Sequence, residues 1–326
     1  MTHDNPGRAM RTAGVDISKN HLDAYATAHG QAGRSRRFPN SPDGFQALAR
    51  WIGTDIDRIA YEPTGAFHRD FEEALLAAGL PLYKINPYQV RCFARSQGRR
   101  AKTDAVDART LADMAAAIPG LRPVQARSQT ERDLAELQLV RDALVGDRTA
   151  MSNRHKHLRH PLAKDLNRRR LEEVKRQIKI VDAEIGKLLQ QREDIKRRLD
   201  VLTSIPGLAQ VSAAGLLVHM PELGSLSGAR AASLAGLAPV TRESGSWKGR
   251  SYIQGGRRKV RQALFMPALS AIRHNPDLRR KYESLLARGK PPKLALAAVM
   301  RKLVVLANAL LQQDRLWTPD PVAAHA

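Results

Sequence analysis

Between Leu171 and Leu202 the residues Leu171, Val174, Ile178, Val181, Ile185, Leu188, Ile195, Leu199 and Leu202 recur at alternating steps of three and four. Arg192 is the one polar residue on this stripe. That period is the a/d seam of a long helix seeking a partner, and no strand can carry it. A weaker seven-residue series, Leu137, Leu144, Met151 and Leu158, precedes it, so His155 to Pro161 reads as the turn of a helical hairpin. The alternative is one long helix packed on its own domain. Either way a coiled-coil arm over 126–202 separates two differently composed regions, 10–125 and 203–315, and 316–326 reads as a frayed tail.

The first region reads as α/β. Alternating runs at Ala13–Ser18, His21–Ala28 and Arg34–Phe38 predict a three-strand meander, broken by Pro39-Asn-Ser-Pro-Asp-Gly. A helix follows over Phe45–Ile52, a strand over Arg58–Tyr61, a helix over Phe67–Ala78 closed by Gly79, and a strand over Leu82–Ile85 stopping at Asn86-Pro87. An Ala-rich helix over Thr103–Ala117, with Thr103 as N-cap, ends the region. The region from 203 to 315 is small-residue-rich and helical, interrupted by PVTRESGSWKGRSYIQGG at 239–256, whose Gly, Ser and Pro density predicts a loop or short hairpin.

Charge narrows the partner. Lys and Arg number 54 against 32 Asp and Glu, a net charge of +22, which favours a polyanion through counterion release. The most apolar stretch, Leu294–Leu311, is interrupted by Arg301 and Lys302, and the N-terminus lacks the layout of a secretory signal. A single cysteine, Cys92, fits a reducing compartment. The expectation is a cytoplasmic, nucleoid-associated protein of a bacterium that binds nucleic acid and no membrane. Aromatic residues are 5% of the chain and form no stacking strip, which argues against a single-strand-binding platform. His155, His157 and His160 lie among Arg154, Lys156 and Arg159 with no companion cysteines, so they read as basic contacts rather than zinc ligands.

Four acids stand out. Asp16 sits inside the first strand, a costly place for a carboxylate without a cation or donors. Glu62 follows the strand ending at Tyr61, where ligand sites of α/β sheets gather. Asp104 and Asp107 share one face of a helix's first turns, where the helix dipole alone is a sufficient reason for acids. Around that pair are Arg91, Arg95, Arg99, Arg100, Lys102 and Arg109, a basic field suited to a phosphate track. Carboxylates from three elements are what Mg²⁺ requires, and two such ions serve phosphoryl transfer. Asp23, Asp55, Asp57 and Asp70 read as solvated.

In the ESGSWKGR string, Ser244 and Ser246 are followed by Lys248, Arg250, Arg257, Arg258, Lys259 and Arg261 with no acid before Ser270. A serine in such a loop is either a nucleophile toward a phosphodiester or an ordinary turn serine in a phosphate-binding loop. No histidine lies in the loop, so a Ser-His-Asp hydrolase is unsupported. Ser204-Ile-Pro-Gly-Leu-Ala-Gln-Val resembles a helix-hairpin-helix turn, with Ala209 in place of the usual second glycine; a plain Pro-Gly turn is the alternative.

The strand order and acid positions resemble the ribonuclease-H-like fold of RuvC-type nucleases. The strings GVDISKNHLDAYA, YEPTG, INPYQVRCFARSQGRRAKTDAVDARTLA, SIPGLAQVSAAGLL and LAGLAPVTRESGSWKGRSYIQGGRRKVRQALFMPAL resemble the DEDD insertion-sequence transposases (the one-hundred-and-ten and eleven-eleven group, related to Piv-type invertases) from residue 13 to about 310. The resemblance implies Mg²⁺ ligands at Asp16, Glu62, Asp104 and Asp107. It implies a nucleophile at Ser244 that becomes joined to a DNA 5′ phosphate, supported by Ser246. It also implies a structured noncoding RNA bridging donor and target double-stranded DNA. Arg99, Arg100, Lys102, Lys248, Arg250, Arg257, Arg258, Lys259 and Arg261 are the expected nucleic-acid contacts, and the seam and a shared site imply a dimer or tetramer. The rival functions are a RuvC-like nuclease in which water attacks, and a non-catalytic nucleic-acid-binding scaffold.

Overall fold

The computed structural model describes residues 10–28, 31–65, 67–98, 104–241, 243–245, 247–249 and 251–319; for Ala28, Gln31, Ala32, Asp104, Ala105, Trp247 and Lys248 it describes the backbone alone. The chain divides into two compact units, 1–127 and 128–326.

In the first unit the alternating runs form β1 (Thr12–Ile17), β2 (His21–Ala28) and β3 (Gln31–Pro39), an antiparallel meander. Helix α1 (Pro42–Ile52) starts where the Ser41 side chain accepts from the Gly44 N–H and Pro42 takes the first turn, and Gly53, at φ 80°, ends it. Strand β4 (Arg58–Tyr61), helix α2 (Arg69–Ala77) and strand β5 (Leu82–Lys84) follow. Next come α3 (Pro87–Ser96), capped by Asn86, and α4 (Asp104–Ala117). The mixed sheet has the order β3-β2-β1-β4-β5, with β4 and β5 added parallel beyond β1. This order agrees with the ribonuclease-H-like fold that the sequence resembles. Helix α3 is the element absent from the sequence expectation: Asn86-Pro87 reads as a strand stop but is equally an N-cap followed by Pro at the first helical position.

Alternation gives the sheet two faces. Ala13, Val15, Ile17, Leu22, Ala24, Ile59 and Tyr61 pack with Phe45, Leu48 and Ile52 of α1 and Phe71 and Leu75 of α2. On the other face Ala60 joins Ile85, just past β5, with Val90 of α3 and Leu111, Met114 and Ala115 of α4. Helix α4 lies so close to β1 that a Cβ on Gly14 would stand 2.0 Å from the Ala108 carbonyl oxygen and 2.5 Å from the Ala112 nitrogen. Two residues back along β1, the Thr12 hydroxyl donates to the Ala112 carbonyl at 2.9 Å.

The second unit opens on a capping box: Ser128 accepts from the Glu131 N–H and Glu131 accepts from Ser128. Helices α5 (Gln129–His157) and α6 (Pro161–Gln190) form an antiparallel hairpin, held by Arg141 to Asp182 and by Asn167 to the Met151 carbonyl. The stripe breaks at its polar member. Arg192, extended at φ −124° and ψ 121°, separates α6 from α7 (Glu193–Thr203) and turns its guanidinium to Ser128 and Asp194. Val174 and Ile178 are buried against Met151 of the same chain, while Ile185, Leu189, Ile195, Leu199 and Leu202 enter a larger core. These positions are covered within one chain, so the stripe itself gives no reason for a second copy.

That core gathers α8 (Gln210–His219), α9 (Gly228–Leu234), α10 (Arg258–His274), α11 (Pro276–Ala287) and α12 (Pro292–Gln312). Helix α12 is long and apolar enough to cross a membrane, but Val299, Leu303, Val304, Ala307 and Leu310 are buried in the core, and the buried Asn308 donates to the Leu226 carbonyl and accepts from the Gly224 N–H. Between α7 and α8, Gly207 at φ 100° approaches α10 so closely that a Cβ would meet the Ala271 nitrogen at 2.5 Å; this glycine serves internal packing. The start of the expected frayed tail is held, because the Trp317 N–H donates to Ser204 at 2.8 Å. Residues 320–326 lie outside the described residues.

Because no Cβ fits between β1 and α4, Gly14→Ala is expected to cost about 3 kcal/mol by overpacking. Thermal unfolding should show the loss; an unchanged melting temperature would mean that α4 does not sit on β1 as described.

Candidate active site

Strand β1 and helix α4 run antiparallel, so their contacts can be followed rank by rank. Thr12 meets Ala112, and Gly14 meets Ala108 and Ala112. Two strand residues advance about 6.6 Å and four helix residues about 6 Å. The next rank therefore sets Asp16 opposite the first turn of α4, where the backbone of Asp104 lies and where Asp107 directly precedes Ala108. Val15 is in register with Tyr61 of β4, so Asp16 and Glu62 each follow that pair by one residue. The two acids thus end neighbouring parallel strands on the face that α4 covers. Asp16, Glu62 and Asp107 are all half-buried.

The opposite face of the same strand ends holds the residues that support Glu62. The Tyr61 hydroxyl donates to Glu72, Lys84 pairs with Glu72 at 2.6 Å, and His68 stands 3.9 Å from it. Burial raises the pKa of Tyr61, with Glu72 adding to the effect. Burial opposes the charge of Glu72, yet hydrogen bonds from Lys84 and Tyr61 hold its pKa below the usual carboxylate value. The network ties α2 to β4 and β5, fixing both sides of the segment that bears Glu62.

Four carboxylates from two strand ends and a helix are hard oxygen donors that fit a divalent cation. Among the described residues, no three His, Cys, Asp or Glu side chains form a group ready to hold a metal; the Asp104 side chain lies outside them.

The row across the sheet continues beyond Asp16. Asp16 is in register with Asp23 of β2, and Asp23 with Arg37 of β3. Directly opposed residues share a face, so Asp23 and Arg37 belong to the same side as Asp16. From the sequence Asp23 reads as solvated, but its side chain is only 14% exposed and accepts two hydrogen bonds from Arg37, at 2.9 and 3.0 Å. The signal was present in His21-Leu-Asp-Ala-Tyr-Ala: Leu22, Ala24 and Ala26 claim one face, which consigns Asp23 to the other. Tyr25 lies on that face too, and Arg109 of α4 stacks over its ring at 5.8 Å.

The serine segment of the second unit is a nested β-hairpin. Strands β6 (Pro239–Val240) and β9 (Tyr252–Ile253) pair at its base, and β7 (Glu243–Ser244) and β8 (Trp247–Lys248) at its tip. Ser244 is opposite Trp247 and exposed, with Gly245 at φ 58° starting the turn. Ser246 and Arg250 lie outside the described residues, as do Arg99, Arg100, Lys102 and Thr103.

Three of the cations expected to contact nucleic acid have partners at the hairpin's root. Arg257 forms two bonds to Glu222, at 2.8 and 2.6 Å. Lys259 pairs with Asp142 at 2.9 Å, beside His219 at 3.3 Å. Arg261 donates to the Gly255 carbonyl at 2.9 Å and the Gly236 carbonyl at 3.5 Å, clasping both ends of the hairpin. Gly236 and Gly256 cross so closely that a Cβ on Gly256 would stand 2.1 Å from the Gly236 nitrogen. Arg258 is exposed. Burial depresses the pKa of His219, with Lys259 and Arg257 acting the same way against Asp142.

Two family models match this chain: a DEDD transposase model over residues 13–160, and a transposase model of the IS116/IS110/IS902 family over residues 199–283. The pilin gene-inverting protein of Moraxella bovis is 29% identical over 316 residues, covering 93% of this chain and 96% of that protein, and its Moraxella lacunata counterpart matches to the same extent. The "Insertion element IS110 uncharacterized 43.6 kDa protein" of Streptomyces coelicolor is 35% identical over 146 residues, 44% of this chain and 35% of that protein. Among solved structures, Thermus thermophilus RuvC is 19% identical with a TM-score of 0.27, covering 35% of this chain and 100% of that one.

Arg261→Ala should free the hairpin, raising the rate of trypsin cleavage within 239–256 several-fold while the thermal transition of the unit holds; unchanged cleavage would show that the clasp is dispensable. The depressed His219 pKa means that the unfolded chain binds a proton that the folded chain refuses, so stability falls as pH drops below the ordinary imidazole value. In His219→Gln the denaturant midpoint should depend less on pH across that window, and an unaltered slope would contradict the assignment.

Proposed function

The chain belongs to the DEDD transposase family of IS116/IS110/IS902-type insertion sequences, and on that premise we propose that it recombines DNA through a covalent phosphoserine intermediate. The carrying observation is the convergence of Asp16, Glu62 and the first turn of α4 on one side of the sheet ends. Asp16, Glu62, Asp104 and Asp107 would hold Mg²⁺, which when bound neutralises phosphate charge and supports displacement at phosphorus.

Ser244 supplies the nucleophile from the other unit, so the reaction calls on both. Its Oγ loses a proton and bonds to phosphorus; the P–O3′ bond breaks, and the departing 3′ oxygen leaves as a hydroxyl once protonated. The 5′ phosphate remains on Ser244. A second 3′ hydroxyl then attacks that phosphorus, the P–Oγ bond breaks, and the serine is restored. Each step exchanges one phosphoester for another, so strand exchange needs no nucleotide hydrolysis. An exposed serine at a hairpin tip is accessible to a duplex, and the clasp at the root keeps its reach defined.

The Moraxella relatives are named for inverting a pilin gene, and DNA recombination of that kind here would move an insertion sequence. Joining two sites calls for more than one copy of the chain. A structured noncoding RNA as guide would supply the sequence choice for which the chain has no base-reading motif, and the net charge of +22 suits RNA and DNA phosphates alike.

The test incubates the protein with Mg²⁺, labelled DNA of the element junction and RNA transcribed from its flank. A denaturant-resistant protein–DNA adduct is expected, falling at least a hundredfold in Ser244→Ala and in Asp104→Ala. Cleavage without an adduct that survives in Ser244→Ala would replace the covalent mechanism with hydrolysis by water. Binding without any strand cleavage would leave a scaffold.

A further inference from the structure

We propose that Arg37, oriented by Asp23, contacts a phosphate of the DNA strand bound along the carboxylate face of the sheet. The inference rests on the recombinase reading and extends its site by two strands. Asp16, Asp23 and Arg37 form one rank across β1, β2 and β3, and Glu62 directly follows the neighbouring strand β4. At about 4.8 Å per strand, Arg37 begins some two strand spacings, about 10 Å, from Asp16.

Three observations favour a ligand over a plain edge-strand ion pair. First, Asp23 stands directly opposite Asp16, an arrangement that repels and that a purely structural sheet would avoid. Second, the guanidinium is held through Nε and one terminal nitrogen by both carboxylate oxygens, which fixes its plane, yet 58% of the arginine side chain remains exposed. An exposed pair of this kind contributes about 1 kcal/mol or less, too little to account for a second acid beside Asp16. Third, a planar, permanently charged fork is the side chain best shaped to meet phosphate oxygens. Arg109 covers Tyr25 on the same face, so the ground near Arg37 offers a further cation to a phosphate chain. Asp23 is a positioning residue in this account; Arg37 is the contact.

The experiment measures binding of the full chain to labelled junction duplex with its flanking RNA across a salt series, for wild type, Arg37→Gln, Arg37→Lys and Arg50→Gln. Arg50 removes the same charge from α1, which packs on the opposite face. Losing one phosphate contact should lower the slope of log affinity against log salt by about 0.9 and weaken binding about tenfold at moderate salt. Arg37→Lys should keep most of the slope while losing affinity, since the ammonium cannot reproduce the fork. Equal behaviour of Arg37→Gln and wild type, or of Arg37→Gln and Arg50→Gln, overturns the proposal; thermal melting of each variant guards against misfolding, and Arg37→Lys carries the test if Arg37→Gln melts early. Adduct formation in the same samples separates the two claims. A normal wild-type adduct with an unchanged Arg37→Gln slope defeats the Arg37 contact alone, whereas a lowered slope with no wild-type adduct supports the contact and defeats the covalent mechanism.

Discussion

The first unit depends on a contact that only glycine allows. At Gly14 the backbone of β1 and the backbone of α4 touch, with the Ala108 carbonyl where a side chain would begin. This removes the usual layer of side chains between sheet and helix at one point, and it sets both the height and the register of the helix. Once Gly14 meets Ala108 and Thr12 bonds to Ala112, the helix has no freedom to slide, and its acidic first turn must come to rest over Asp16. The place of this turn over β1 is thereby set by apolar packing and one missing methyl group. The core residues Val15, Ile17, Ile59 and Tyr61 lie on the other side of the same strands.

The second unit solves a different problem with the same device. An exposed hairpin has few contacts of its own to define where its tip points. Here its root is fixed by the close crossing of Gly236 and Gly256, by Arg261 across both ends, and by Arg257 and Lys259 locked to Glu222 and Asp142 at the start of α10. Arg257, Lys259 and Arg261 hold the hairpin's root, and a rigid base leaves Ser244 exposed at its tip.

The succession of strands and helices in the first unit and the short hairpin within 239–256 follow from alternation and turn residues. What was hidden shares a cause: dependence on partners distant in sequence. Asn86-Pro87 ends one element and begins another, and only the packing of Val90 and Phe93 under α4 decides for a helix. Arg192 looks like a blemish in a seam until Ser128, sixty-four residues earlier, is seen to receive it. Asp23 looks solvated because Arg37 and Asp16 belong to other strands, and Arg257 looks free because Glu222 precedes it by thirty-five residues.

The central claim is that β1, β4 and α4 deliver their acids to one divalent cation. Titration of the protein with Mn²⁺, followed by the loss of its free-ion paramagnetic resonance signal, addresses it without any need for DNA or RNA. Tight uptake by the wild type, lost alike in Asp16→Asn, Glu62→Gln and Asp107→Asn, is the predicted result. Undiminished uptake in Asp16→Asn and Asp107→Asn, or none in the wild type, would contradict it.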